Sequence, residues 1–377
     1  MMELRTTKLP VGKLGLITMK GCEDLGNKID KYLLEWHEQK FNFKIDTFQI
    51  KAHCPRFSTG EAKGVIDQSV RGFDIYILVD VFNYGVTYKM YNVERRMSPD
   101  EHYQDLKRVI AAIGGKARRI TVVMPMLYES RQHKRNSRES LDCAMALEEL
   151  VAMGVDSIIT FDAHDPRVQN SIPLNGFENV QPYYQMIKAL VRHMPDVKID
   201  PEHLMIVSPD EGGMGRCIYY SSILGLDLGM FYKRRDYSTI VNGRNPIISH
   251  DFLGGDLHGK DVIIVDDMIS SGDSIIDVST KLKERGARNI YTFITFGLFV
   301  DGFEKFDKAY EEGSINKIFT TNLTYRTPEL INKPWYCEVD MSKYIALIIE
   351  TLNYDKTLGE LLDPVNRINK ILGKTEK

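Results

Sequence analysis

Short runs of apolar, mostly β-branched residues recur along the chain, and stretches with helical spacing lie between them. Residues 75–79, 120–124, 157–161, 204–207, 262–265 and 290–295 read as buried strands, because near-continuous apolar character marks strands covered on both faces. Residues 141–153 and 275–285 have helical spacing and stop at Gly154 and Gly286, which suit the left-handed backbone just past a helix end. Each helix feeds another strand. The pattern predicts right-handed βαβ units on parallel sheets, an α/β fold.

Several of these strands end in acid: Phe161 is followed by Asp162, Ser208 and Pro209 by Asp210, and Val265 by Asp266 and Asp267. Open parallel sheets bind ligands beyond the carboxyl ends of their strands, so these aspartates are expected to crowd one rim of each sheet. The repetition suggests two similar halves. Pro173, Asn175 and Gly176 break the pattern over 172–179, which sets the expected domains at 1–178 and 179–340, with the tail 341–377 packing back on the first.

Composition changes this picture little. At 377 residues and 43% hydrophobic, the chain can fill two cores. A formal charge of −3 without a basic tail gives no sign of nucleic acid as a partner, so any anion site is local. Cys22, Cys54, Cys143, Cys217 and Cys337 lie far apart with no CxxC pair, which suggests neither zinc nor a disulfide framework and fits a reducing cytoplasm. No apolar run suits a signal peptide or a bilayer span, so no membrane association is expected.

The most informative stretch is 262–274, four apolar residues, Asp266 and Asp267, and then a small hydroxyl-rich turn running into a helix. Amides at a helix start converge on an anion. Gly272 permits close approach, and Ser270, Ser271 and Ser274 offer hydroxyls to phosphate oxygens. Asp266 and Asp267 stand where the vicinal hydroxyls of a docked sugar phosphate would lie, and can share a divalent metal. By itself the loop is equally compatible with a capped turn. It resembles the phosphoribosyl-diphosphate (PRPP) motif of type I phosphoribosyltransferases and of the ribose-phosphate diphosphokinase, or PRPP synthetase, family.

Four upstream segments are similar to the synthetase family and not to the transferases. These are Arg56 to Glu61 followed by Val70 to Ile75, the stretch from Pro125 to Arg131 and Gln132, the triplet Asp162, Ala163, His164, and Ser208 to Gly213 with Lys233, Arg234, Arg235 beyond it. The resemblance implies two phosphoribosyltransferase-like domains, each a mostly parallel sheet flanked by helices. It implies ATP and ribose 5-phosphate as substrates and Mg2+ as cofactor. It further implies ATP contacts at Phe57, Thr59, Gly60, Glu61, Arg131, Gln132 and His164, metal ligands His164 and Asp210, and catalytic cations Lys233 and Arg235. Ribose 5-phosphate would lie on Asp266, Asp267, Ser270, Ser271, Gly272, Asp273 and Ser274. The family also implies a dimer-based homo-oligomer, up to a hexamer, in which Phe57 and Glu61 serve a neighbouring subunit.

The chain departs from the family pattern at three positions, each an aspartate replaced: by Ser270 at the opening of the phosphate turn, by Thr59 in the adenine segment and by His133 after Gln132. A PRPP-consuming transferase and a catalytically silent synthetase homologue remain the alternatives.

Overall fold

The computed structural model describes residues 9–235 and 247–374; the side chains of 233–235 and 247–250 lie outside that description. Two compact units share the chain: unit 1 runs to Pro182 and includes Asn322–Tyr325 and Asp340–Asp363, and unit 2 comprises Tyr183–Thr321, Arg326–Val339 and the segment from Pro364.

In unit 1 the order is β1 (Lys13–Thr18), α1 (Glu23–Phe41), β2 (Ala52–His53), β3 (Val65–Ile66), β4 (Phe73–Leu78), β5 (Thr87–Met90) and β6 (Val93–Arg96). There follow α2 (Pro99–Ile113), β7 (Arg119–Val123), α3 (Asp142–Ala152), β8 (Ser157–Phe161) and β9 (Gly176–Val180). Strands β1, β4, β7, β8 and β9 form one sheet in that order, every neighbouring pair parallel. Its core includes Ile75, Ile77, Val122, Leu106, Val109 and Leu147, the apolar faces of strands and helices that the spacing marks out. Helix α2 starts where a capping box sets it: the Ser98 side chain accepts from the Glu101 amide, Glu101 reaches back to the Ser98 amide, and Pro99 stands in the first turn.

Unit 2 contains α4 (Tyr183–His193), β10 (Leu204–Ser208), α5 (Met214–Leu224), β11 (Asp227–Arg235), β12 (Ile247–Leu253), β13 (Asp261–Ile269) and α6 (Asp273–Glu284). It continues through β14 (Ile290–Gly297), α7 (Glu304–Glu311), β15 (Lys317–Thr321), α8 (Pro328–Ile331) and β16 (Tyr336–Val339). The strand order is β12-β11-β10-β13-β14-β15-β16, with only β11 and β12 antiparallel. From β10 the chain moves outward to β11 and β12, then returns to the other side of β10 to lay down β13. The reversal between β10 and β13 is a topological switch point, where neighbouring crossovers run to opposite sides and leave a crevice at the carboxyl ends.

Last come α9 (Ser342–Asn353), α10 (Gly359–Leu362) and α11 (Val365–Ile371). The segment 341–377, expected to pack as one tail, is shared between the units. Helix α9 packs against α1 in unit 1, and α11 packs against α4 in unit 2. At the end of α9, Asn353 Nδ2 donates to Asp74 Oδ2 at 2.9 Å and to the Gly12 carbonyl at 3.1 Å, while Arg119 Nη2 donates to the Leu352 carbonyl. Asp74 is fully buried at the start of β4, and Arg119 grips it with bonds of 2.7 Å from Nε and Nη2. A buried carboxylate is tolerable only when so paired, and this one anchors three sequence-distant segments.

The six expected strands are all present. Gly154 and Gly286 have φ of +90° and +89°. Strand β13 runs beyond the expected end at Val265, because Asp266 and Met268 continue pairing with Ile294 and Phe296 of β14.

Candidate active site

The crevice of unit 2 opens where pairing between β10 and β13 stops, at Val207 opposite Ile264. Beyond that point β13 continues only with β14, carrying Asp266 and Asp267 along the open edge, while β10 ends in the turn that holds Asp210. Asp210 Oδ1 accepts from the Gly212 amide at 2.9 Å and the Gly213 amide at 3.3 Å, which fixes the turn into α5. Helix α5 then brings Arg216, whose Nη2 lies 3.6 Å from Asp267 Oδ2.

The two aspartates of β13 differ in setting. Asp267 is 3% exposed and faces Arg216; its amide donates to Asp266 Oδ1 at 2.9 Å. Part of Asp266 reaches solvent, but protein atoms hem in its carboxyl. This desolvation, followed by the charges of Asp267 and Asp210, pushes that carboxyl well above the ordinary carboxylate range, with Arg216 opposing. Among the described residues, three carboxyls converge here beside the Arg216 guanidinium, and clustered carboxyl oxygens are the ligands a hard divalent cation takes.

Past Ile269 the chain turns through Ser270, Ser271 and Gly272 into α6. The Leu298 amide donates to the Ile269 carbonyl at 2.9 Å and the Val300 amide to the Ser270 carbonyl at 3.0 Å, so the turn is tied down by the segment after β14. Gly272 caps α6 with φ +90°, and a Cβ there would stand 2.1 Å from Phe306 Cζ. No other residue fits, by conformation and by space. The first-turn amides of α6 have no partner inside the helix and point out of its start, as anion binding requires. Ser274 is exposed, while Ser270 and Ser271 are half-buried. Asp273, the first residue of α6, accepts from Ser271 Oγ at 2.9 Å and from Lys305 Nζ at 2.6 Å.

In unit 1 the loops after β7 and β8 meet. His133 Nε2 lies 3.5 Å from Asp165 Oδ2, and its ring packs edge-on against His164 at 5.3 Å between centroids. Asp165 is itself held by Arg167, whose hydrogen bonds bring its carboxyl down to about 2. Burial lowers the His133 imidazole. His164 and Arg131 are exposed, and Gln132 Nε2 donates to the Ser140 carbonyl.

Elsewhere in the same unit, Phe57, Thr59, Gly60 and Glu61 form a tight turn. The Phe57 amide donates to the Glu61 carbonyl, the Gly60 amide to the Phe57 carbonyl, and Thr59 Oγ1 to Glu61 Oε2 at 2.9 Å. Phe57 is 56% exposed, an aromatic surface held out by this turn. Arg56 beside it is structural, with both terminal nitrogens on Asp105 and its plane over Tyr88.

Lys233 and Arg235 occupy the carboxyl-terminal end of β11, with a register shift between Arg234 and Arg235; their side chains lie outside the described residues. Sequence reasoning passed over Arg216 and Lys305. Arg216 could have been found six residues after Asp210, at the start of the helix fed by that turn. Lys305 had no local signal, since only the fold of α7 brings it to the loop. A further acid and histidine group, Asp200, Glu202 and His203, stands at the opposite end of β10, where His203 Nδ1 and Asp200 Oδ1 are 2.7 Å apart and shape the turn into the strand.

Fold and site together define a protein of two phosphoribosyltransferase-like α/β units. Residues 14–154 match the model for the N-terminal domain of ribose phosphate pyrophosphokinase, and residues 239–363 match that for the phosphoribosyl synthetase-associated domain. Ribose-phosphate pyrophosphokinase A of Dictyostelium discoideum is 27% identical over 316 residues, covering 82% of this chain and 89% of that protein. The ribose-phosphate pyrophosphokinase of Maricaulis maris is 25% identical over 321 residues, covering 85% and 94%. The fold is that of phosphoribosylpyrophosphate synthetase from Mycobacterium smegmatis, with a TM-score of 0.72, 20% identity and coverage of 91% of this chain and 99% of that one. The chain belongs to the ribose-phosphate pyrophosphokinase family of enzymes. No helix among the described residues is long and apolar enough to cross a membrane.

Proposed function

We propose that this protein transfers the β,γ-diphosphoryl group of Mg-ATP to the C1 hydroxyl of ribose 5-phosphate, giving PRPP and AMP. The oxygen on C1 bonds to the β-phosphorus, the bond from that phosphorus to the α-phosphate oxygen breaks, and the hydroxyl proton is released. The observation that carries this reading is the switch-point crevice of unit 2. There Asp210, Asp266, Asp267 and Arg216 stand beside the start of α6, which Gly272 caps without a side-chain hydrogen bond.

In this reading residues 270–274 take the 5-phosphate, and Asp266 and Asp267 take the ribose hydroxyls. Phe57 stacks on the base, while Thr59, Gly60, Glu61, Arg131 and Gln132 complete the nucleotide contacts. Lys233 and Arg235 meet the charge that develops on the transferred group, the main electrostatic lever in phosphoryl chemistry. The crowded carboxylates of unit 2 fit a hard divalent cation, with Asp210 as its oxygen ligand; His164 is assigned by resemblance. Magnesium, when bound, supplies charge neutralisation for the triphosphate. Little covalent work falls to the protein, so orientation supplies much of the rate. A homo-oligomer belongs to the same proposal.

A second reading, a silent partner of an active synthetase, draws on the associated-domain match over 239–363 and on the carboxylate of Asp273 inside the phosphate loop. Incubating the purified chain with MgATP and ribose 5-phosphate separates them. AMP released in step with PRPP is expected; ribose 5-phosphate binding without AMP would leave the silent partner.

A further inference from the structure

The phosphate loop of unit 2 already contains an anion of its own. Asp273 opens α6, the place where a bound phosphate would meet the helix amides, and its side chain is 73% exposed. Its two oxygens take the loop's best mobile donors: Oδ2 accepts from Ser271 Oγ at 2.9 Å, and Oδ1 from Lys305 Nζ at 2.6 Å. Lys305 comes from the first turn of α7, and its neighbour Phe306 is seated on Gly272, close enough to exclude a Cβ there. That contact clamps α7 to the loop and keeps the Lys305 ammonium at its mouth. Nζ has a second, looser acid at hand, Asp301 Oδ2 at 3.5 Å, so it is not bound to Asp273 alone.

We infer that Asp273 is an internal competitor for the 5-phosphate of the sugar, and that Lys305 is the cation that changes partner when the phosphate arrives. This rests on the reading of 270–274 as the phosphate site. A phosphate dianion placed on the α6 amides meets the Asp273 carboxylate at close range, and like charges there oppose binding. The exchange relieves this: Asp273 swings toward solvent, which its exposure allows, and Ser271 Oγ and Lys305 Nζ turn to the phosphate oxygens. An exposed pair of this kind is weakly held, so breaking it is a small hindrance and not a block. The two residues thereby set how much sugar phosphate is needed for occupancy. They are positioning residues of the phosphate subsite and do not touch the atoms that react.

The test is a double-mutant cycle on the full chain, read by calorimetric titration with ribose 5-phosphate and, as a control, unphosphorylated ribose. Asp273→Asn is expected to tighten ribose 5-phosphate binding, and Lys305→Met to weaken it, each about three- to fivefold, the size an exposed ion pair supports. Neither substitution should shift ribose binding. Removing Lys305 should weaken binding more in the Asp273→Asn background than in the native chain, because in the native chain part of the lysine's attraction is spent on leaving Asp273. A purely structural cap would lower the melting temperature and leave this cycle additive. Unchanged or weaker binding in Asp273→Asn, or an additive cycle, overturns the inference while the native chain still binds the sugar phosphate. If the native chain binds no ribose 5-phosphate and releases no AMP, the functional reading falls, and the inference with it.

Discussion

In unit 1 the five strands of the sheet stand in the order in which the chain makes them, whereas in unit 2 the order doubles back between β10 and β13. Both sheets come from the same rhythm of apolar strand and amphipathic helix, and both carry acid at strand ends. Only the reversal splits two adjacent carboxyl ends apart, so that Asp210 and the pair Asp266 and Asp267 face a common crevice. Unit 1 turns back only at its edge, where residues 48–50 bond to β1 before the chain lays β4 against it, and the polar groups described above gather in the loops after β7 and β8, where His133, His164 and Asp165 meet. Acidic strand ends are thus common to both halves, and the crossover decides which of them bring their carboxyls together.

That contrast can be broken in three places. The largest effect is expected at the end of β11, beside the crevice. Lys233→Ala should lower kcat by about 10²–10³, the usual cost of removing one transition-state charge partner, and raise KM for ribose 5-phosphate far less. Initial rates over a range of ribose 5-phosphate measure it, and unchanged turnover would remove Lys233 from the mechanism.

Next come two glycines with the same φ of +90° in different surroundings. Gly272→Ala in unit 2 drives a methyl into Phe306 and should cost about 3 kcal/mol in denaturant titration. Gly154→Ala in unit 1 finds nothing within 4 Å and should cost only the conformational strain, about 1 kcal/mol. Equal losses would show that the packing of Phe306 on the 270–274 loop is loose.

The smallest effect concerns two carboxyls shifted in opposite directions. Asp266 is raised in the folded chain, so its ionisation opposes folding. In metal-free protein Asp266→Asn should raise the melting temperature at pH 7, and the gain should vanish as pH falls toward about 4, the ordinary carboxyl value. Asp165 is lowered to about 2, so its stabilisation is present above about 4 and is lost as pH falls through 2. Asp165→Asn should therefore destabilise slightly at pH 7, since Arg167 is an exposed partner, and the loss should fade in acid. Thermal melts in chelator from pH 2.5 to 8 read both, and slopes of the same sign would refute the contrast.

The strands that could be read in advance are those buried on both faces, such as 120–124 and 262–265, where continuous apolar character leaves no other reading. Strands β9, β11 and β12 gave no such signal. Gly176–Val180 and Ile247–Leu253 are partly polar, and β11 ends in Lys233, Arg234 and Arg235. Strand pairing compensates for the weak local preference at such positions. In the site, the spacing of Asp266, Asp267 and Gly272 marked the loop. Nothing in that stretch shows that Asp273 holds Lys305, a residue 32 positions later on another helix.

The chain's own pattern determined the α/β rhythm, the glycines past α3 and α6, and the acid at the ends of β8, β10 and β13. These depend on backbone preference and on burial of nearby residues, which are local. Tertiary structure decided the rest: the reversal of strand order, the placing of Arg216 against Asp267, the clamp of Phe306 on Gly272, and the sharing of the tail between two units. Each of these joins segments far apart in the chain. Their energies come from shape and charge met only after folding, which no single stretch of sequence encodes.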